Sequence, residues 1–349
     1  MTPEQHLRAF AEFYIGVQLS GGTTPHMLMT VEAARRQPRL ADQLWWAGCY
    51  AFVYNFATAE VINMHWQWDT LEPDALRAWL TRHWKGIKWR KERKAARSVE
   101  RLAECMESYA AYVPLVPGRR WFTDQAMPAR ARYDAAFTDL IENVRYMGRY
   151  IAIRWVETVG RIAGLPLTMP DLRPRDGYHP RKGLVLMYPE AADELLGGDD
   201  DATIAVVNGV VERCRADLAR FYGVAPDYYT MQSLLCEYKQ SALGRRQYPG
   251  KSVDTALRYW RGVADYWGER YTERSIIWDV RRVLFPPFIL GEAGGWDGVR
   301  HELGTTLADH GYTWSDAIYD YKATRDLGRP AFRQGAALEL RWPEGGVGS

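Results

Sequence analysis

The chain has 349 residues and 47% apolar residues, enough for one large globular domain or two smaller ones. A formal net charge of +2 excludes a polycation, so any nucleic-acid footprint must be a local patch. Cys49, Cys105, Cys214 and Cys236 are scattered with no CxxC pair, and the seven histidines show no metal spacing. That pattern argues against a zinc site, an iron–sulfur cluster or a disulfide scaffold.

In chain order the pattern is mostly helical. Thr24-Pro25 caps a helix reaching about Arg36. Leu40 to Ile62 reads as one long apolar helix, and Pro73 to Trp84 and Ser98 to Tyr112 as the next two. Asp124 to Val144 and Arg149 to Ala163 form a pair joined by a short hairpin. Pro166 to Arg181, with Pro166, Pro170, Pro174 and Pro180, reads as a long and therefore functional loop. Gly183 to Tyr188 is the one strand candidate, or else a loop packed in the core. Further helices are expected over Pro189–Leu196, Ala202–Tyr222, Tyr228–Leu243, Ser252–Tyr271, Thr272–Leu284, Trp296–His310 and Trp314–Arg325. The expected organisation is a single helical catalytic domain over residues 1–334, with two lobes and a cleft near 144–181 as a variant of it. Residues 335–349 read as a tail. No run of membrane-spanning length and no signal-peptide pattern is present, so a cytoplasmic protein is expected.

Three constellations can carry chemistry. In the first, Gly148 opens a helix beside Arg149, where backbone N–H groups and a cation suit a phosphate. Past the end of that helix comes Asp171, in Pro170-Asp171-Leu172-Arg173-Pro174-Arg175, a carboxylate that neighbouring arginines keep ionised. Against this stand a close-packing glycine and a surface ion pair. The second runs from Glu237-Tyr238-Lys239 through Arg245, Arg246 and Lys251. Gly244 to Ser252 imitates a phosphate loop, but it has one residue too many between the glycines and follows a helix. Cys236, beside Glu237, is either a nucleophile for C6 of a pyrimidine or a buried inert thiol. The third is a basic run of Arg82, Lys85, Lys88, Arg90, Lys91, Arg93, Lys94, Arg97 and Arg101, opposed by Glu92 and Glu100 alone and interleaved with Trp84 and Trp89. It reads as a phosphate-backbone patch or as a solvated helix face.

The layout of Gly148 and Asp171 resembles the helix-hairpin-helix of base-excision DNA glycosylases. Tyr54-Asn55, Thr58-Ala59, Gly148-Arg149-Tyr150, Pro180-Arg181, Glu237-Tyr238-Lys239, Tyr248-Pro249-Gly250, Asp254, Phe285-Pro286 and Leu290-Gly291-Glu292 together resemble the phage amino acid:DNA transferase group. That group belongs to the alpha-glutamyl/putrescinyl thymine pyrophosphorylase-like families, which are related to helix-hairpin-helix glycosylases. The resemblance implies an all-α, glycosylase-like helical fold with additional helices, working in a bacterial host cell.

It also implies transfer of an amino acid, glycine above all, onto the C5 methylene of phosphorylated or pyrophosphorylated 5-hydroxymethyluracil in DNA. The partners implied are double-stranded DNA with modified thymine, a free amino acid and an upstream 5-hydroxymethyluracil DNA kinase, with no metal or other cofactor. Asp171, Glu237 and Lys239 are then the catalytic candidates. Tyr54, Asn55, Arg149, Arg173, Arg181, Tyr238, Arg282 and Glu292 would bind substrate. Gly148, Lys88, Arg90, Lys91, Arg93, Lys94, Arg245, Arg246 and Lys251 would bind DNA. A glycosylase acting on a modified pyrimidine and a noncatalytic DNA-binding module remain the competing readings. Tyr150, where a lyase would want lysine, speaks against the lyase form of the first.

Overall fold

The structure, a computed structural model, describes residues 1–19, 24–89, 98–175, 178–243 and 251–284, and every regular element among them is a helix. In order these are α1 (Pro3–Leu19), α2 (Pro25–Arg35), α3 (Leu40–Val53), α4 (Phe56–His65), α5 (Pro73–His83) and α6 (Val99–Tyr112). Then come α7 (Arg120–Thr123), α8 (Ala129–Asn143), α9 (Arg149–Ala163), α10 (Tyr178–Met187) and α11 (Ala192–Leu195). The last are α12 (Asp201–Asp217), α13 (Tyr228–Ala242), α14 (Lys251–Trp267), α15 (Glu269–Arg274) and α16 (Ile277–Leu284). No described helix is long and apolar enough to cross a membrane. The helices expected over 296–310 and 314–325, and the tail 335–349, lie outside the described residues.

Two compact units divide the chain between Pro170 and Asp171. One holds Pro25–Pro170 with Thr255–Arg281, and its core is built on α3. Every residue from Leu44 to Val53 is buried, so α3 is apolar on all sides because helices surround it. A hydrogen-bonded aromatic cluster ties its neighbours together. Trp155 Nε1 donates to Tyr109 Oη at 2.8 Å, and Tyr109 donates to the Leu44 carbonyl at 2.5 Å. Gly48 makes this possible, since a Cβ there would lie 1.9 Å from the Tyr109 ring. The other unit holds α1 and the segment from Asp171 through α13.

Four expectations are corrected. The run Leu40 to Ile62 is two helices. Tyr54 takes a left-handed conformation (φ 52°) and closes α3, and Asn55 restarts the chain by capping α4 through Thr58 N–H. Gly183 to Tyr188 is not a strand, because residues up to Met187 belong to α10. Its β-prone Leu-Val-Leu is overridden by packing. A Cβ on Gly183 would sit 2.5 Å from the Leu235 carbonyl oxygen, so α10 and α13 meet backbone to backbone at that glycine. The connection expected up to Arg181 ends at Tyr178, where α10 begins. The helix expected from Asp124 starts only at Ala129, with the four-residue α7 before it. α1 has no counterpart among the expected elements. It buries Phe10, Ala11, Phe13, Tyr14, Ile15 and Val17, a nearly continuous run that blurs the helical period.

Candidate functional site

In the unit that begins at Asp171, that residue sits on a short turn held from several sides. Its Oδ1 accepts from the Arg173 N–H at 2.7 Å, the bond of an Asx-turn, and its Oδ2 accepts from Asn208 Nδ2 of α12 at 3.3 Å. Arg173 has φ 50°, in the left-handed region that non-glycine residues rarely occupy. Gln232 of α13 donates to the Leu172 carbonyl at 3.3 Å. Arg181 of α10, 1% exposed, donates to the carbonyls of Pro174 at 2.8 Å and Gly198 at 3.1 Å, and to Asp199 at 2.5 Å. Arg175 pairs with Asp201. Three helices therefore hold one half-buried carboxylate on a strained loop, the kind of backbone that clusters at active sites. Two hydrogen bonds leave acceptor positions on Asp171 among the described residues.

Arg181 was expected to bind substrate. Its guanidinium is buried and donates to the segment after Asp171 and to the segment before α12. Asn208 and Gln232 escaped sequence reasoning because they come from helices distant in the chain, and no spacing rule connects them to Asp171.

On α13 the three consecutive candidates part company, since successive helical residues point about 100° apart. Tyr238 closes the contact with α1. Its hydroxyl lies 2.8 Å from His6 Nδ1 and donates to the His6 carbonyl at 3.0 Å, and its ring meets Phe10 and Phe13 edge-on. It packs the fold at a position expected to bind substrate. Lys239, two turns on from Gln232 and on the same face, is buried. It lies near His179 of α10, whose pKa is lowered by burial first and then by the positive charges of Lys239 and Lys182. Cys236 shares that face and is partly exposed, and Glu237 is partly exposed on another.

In the unit holding α3, helices α8 and α9 are joined by residues 144–148, a helix–turn–helix hairpin. Arg145, Tyr146, Gly148 and Arg149 are all exposed at its tip. The turn is pinned to α6: the Arg145 carbonyl accepts from Cys105 Sγ at 3.2 Å, and the Arg145 N–H donates to Ser108 Oγ at 3.0 Å. Arg101 lies 5.6 Å from the Tyr146 ring centre. Gly148 caps α9 at φ −63°, and a Cβ on it would meet nothing within 4 Å. The protein's own packing therefore does not demand this glycine, and the close-packing alternative falls away.

Two substrate candidates of this unit are internal. Tyr54, 4% exposed, meets Tyr50 and Tyr150 at ring distances of 5.4 and 6.3 Å. Below Tyr150 lies Arg154, 5.4 Å from its ring centre and paired with Glu157 at 2.9 Å, with both charges buried. This cluster was missed because Arg154 and Glu157 look like ordinary helix-surface residues in sequence. Asn55 is fully buried and donates to the Lys88 carbonyl at 3.0 Å, while Thr58 exchanges two hydrogen bonds with the Lys88 backbone. Asn55 thus anchors the chain at Lys88, where the basic run continues. Arg90, Lys91, Arg93, Lys94, Arg245, Arg246 and Glu292 lie outside the described residues, as do the side chains of Lys251 and Arg282.

No curated protein and no solved structure is significantly similar to the chain. A family model does match: residues 41–247, more than half of the sequence, fit the model described as amino acid:DNA transferase. The match spans α3 to α13 and takes in the hairpin, the Asp171 turn and Lys239. The chain, whose described regular elements are all helices, belongs to the amino acid:DNA transferase family, a group named for joining an amino acid to DNA.

Proposed function

We propose that this enzyme attaches an amino acid, glycine by preference, to the C5 methylene of phosphorylated or pyrophosphorylated 5-hydroxymethyluracil in phage DNA. An amine nitrogen forms a bond to the methylene carbon, and the carbon–oxygen bond to phosphate or pyrophosphate breaks. A free amino acid carries an ammonium group, which must lose a proton before it can attack. Asp171 is the base that takes it. The observation that carries this reading is the turn around Asp171, a carboxylate held in place by α10, α12 and α13 with acceptor capacity to spare.

Lys239 and the partly exposed Arg173 supply the cations for the leaving group and for the amino-acid carboxylate. Glu237 is the reserve base, on a neighbouring face of α13. The hairpin at Gly148 and Arg149 grips backbone phosphate through the N–H groups at the opening of α9, where the helix dipole favours an anion. The target carbon lies within the base stack, so the nucleotide is extruded before reaction.

The test is a reaction of purified protein with kinase-treated 5-hydroxymethyluracil DNA and a pool of amino acids, with the nucleosides weighed afterwards. A nucleoside heavier by one amino-acid residue is expected. An abasic product would assign the chain to glycosylase chemistry, and no change in any nucleoside would sink the transferase reading. Asp171→Asn keeps the shape of the turn and should lower the single-turnover rate by about 100-fold or more with DNA affinity unchanged. Wild-type rates in that variant would remove Asp171 from the mechanism.

A further inference from the structure

In the unit holding α3, a group of rings gathers at the surface that the transfer chemistry does not use. Trp79 of α5 and Trp267 of α14 stack with centres 5.5 Å apart and planes 22° apart. His83 lies 4.8 Å from Trp267, and His65 lies 5.1 Å from Trp79 and 5.3 Å from Trp267. Tyr266 stands edge-on to His83 at 6.2 Å and is 40% exposed. His65 is exposed as well, and Trp79, His83 and Trp267 are each partly exposed. A cluster of this size is normally driven into a core, yet here all five rings keep contact with solvent.

Charges of both signs flank the rings, and Asp265 and Glu269 are exposed within two residues of Trp267. Arg82 and Lys85 are exposed beside the rings, and Lys88 extends the series. In sequence Arg90, Lys91, Arg93, Lys94 and Arg97 follow at once. The turn carrying Lys85 and Lys88 is fastened to the ring cluster itself. Trp267 Nε1 donates to the Gly86 carbonyl at 3.4 Å, and Gly86 has room for no side chain because a Cβ would lie 2.3 Å from the Tyr266 ring. Rings that offer π-faces beside cations that offer phosphate contacts make up the two parts of a single-strand binding surface.

We infer that His65, Trp79, His83, Tyr266 and Trp267 form a stacking platform for the bases of locally unpaired DNA, with Arg82, Lys85 and Lys88 on its phosphates. The platform rests on DNA being the substrate and is indifferent to which group is transferred. An enzyme that extrudes a nucleotide leaves unstacked bases beside the gap, and an aromatic surface lowers the cost of keeping them apart.

The test measures binding of the full chain to a fluorescein-labelled thymidine oligonucleotide and to an abasic oligonucleotide of equal length, which keeps the phosphates and lacks the bases. Wild type should bind the thymidine strand more tightly. Tyr266→Ala, at an exposed position, should lose about 5-fold or more of that affinity and none toward the abasic strand. Tyr266→Phe should restore it, and His83→Ala should repeat the loss. Equal affinity of wild type for both strands, or an equal loss on both in Tyr266→Ala, would overturn the platform. So would a change confined to self-association in sedimentation, which would make the patch an interface between copies. Amino-acid transfer by wild type is assayed separately, so a platform that binds bases in a protein without transfer activity would refute only the proposed chemistry.

Discussion

At the scale of single residues, the buried charges are the most informative. Arg181 has three acceptors fixed by the fold, and two of them are carbonyls of the segments that flank Asp171 and α12. Arg181→Met should therefore unfold at lower denaturant, with a loss of about 3 kcal/mol, because Asp199 and two carbonyls lose their donor. A variant with unchanged stability and only a raised KM for DNA would assign Arg181 to substrate binding. Glu60 of α4 is the second case. It is 1% exposed and accepts from Tyr271, Ser275 and the Ile276 N–H at 2.7–2.8 Å, tying the segment after α14 to α4. Burial raises its pKa to about 7, against hydrogen bonds that lower it.

The sign of the pH effect follows. Between the unfolded value near 4.5 and the folded value near 7, the folded chain holds a proton that the unfolded chain has lost. Glu60 thus favours folding below that window and costs stability as the pH rises through it. Wild type should be less stable at pH 8 than at pH 5 by an amount on the order of 3 kcal/mol from this group alone. In Glu60→Gln that part of the slope should vanish in denaturant titrations at the two pH values. An unchanged slope would assign it to other groups.

At the scale of elements, the hairpin and the α10–α13 pair use glycine for opposite reasons. Gly183 is enclosed by Leu235, whereas Gly148 faces open space at a φ any residue can adopt. Gly148→Ala should therefore shift stability by about 1 kcal/mol at most, the ordinary difference at a helix N-cap. Its DNA affinity should still fall, since the new methyl stands where a phosphate would approach the opening of α9. Full affinity in a folded Gly148→Ala protein would remove the helix opening from the DNA contact. Much of this element was legible in sequence. Arg149–Ala163 runs as expected because Gly148 and Gly164 bracket it, the latter in the left-handed conformation that ends helices. The break at Tyr54-Asn55 was legible in principle as an Asn cap, yet the apolar run on both sides hid it.

At the scale of the whole molecule, a near-neutral chain that works on DNA must concentrate its cations. The run from Arg82 to Arg101 does so in sequence, and Asn55 and Thr58 fix its start at Lys88. Arg93→Glu with Lys94→Glu should weaken duplex binding and reduce the slope of log affinity against log salt by roughly 2, since two phosphate contacts are lost. Binding with an unchanged slope would show the run to be a solvated face.

By itself the sequence determined the helical character, the position of the hairpin and the family, because caps, periodicity and local motifs are properties of neighbouring residues. What only the tertiary structure decided was the direction of each side chain. Asp171, read from its own neighbours, was an acid beside arginines. In the fold, Asn208, Gln232 and Arg181 hold its turn in place, and Tyr238 and Asn55, equally polar in sequence, are spent on packing and on anchoring the backbone. A helix aims successive residues about 100° apart, so which of three adjacent candidates meets a substrate depends on what packs against each face, and that is set by segments far away in the chain.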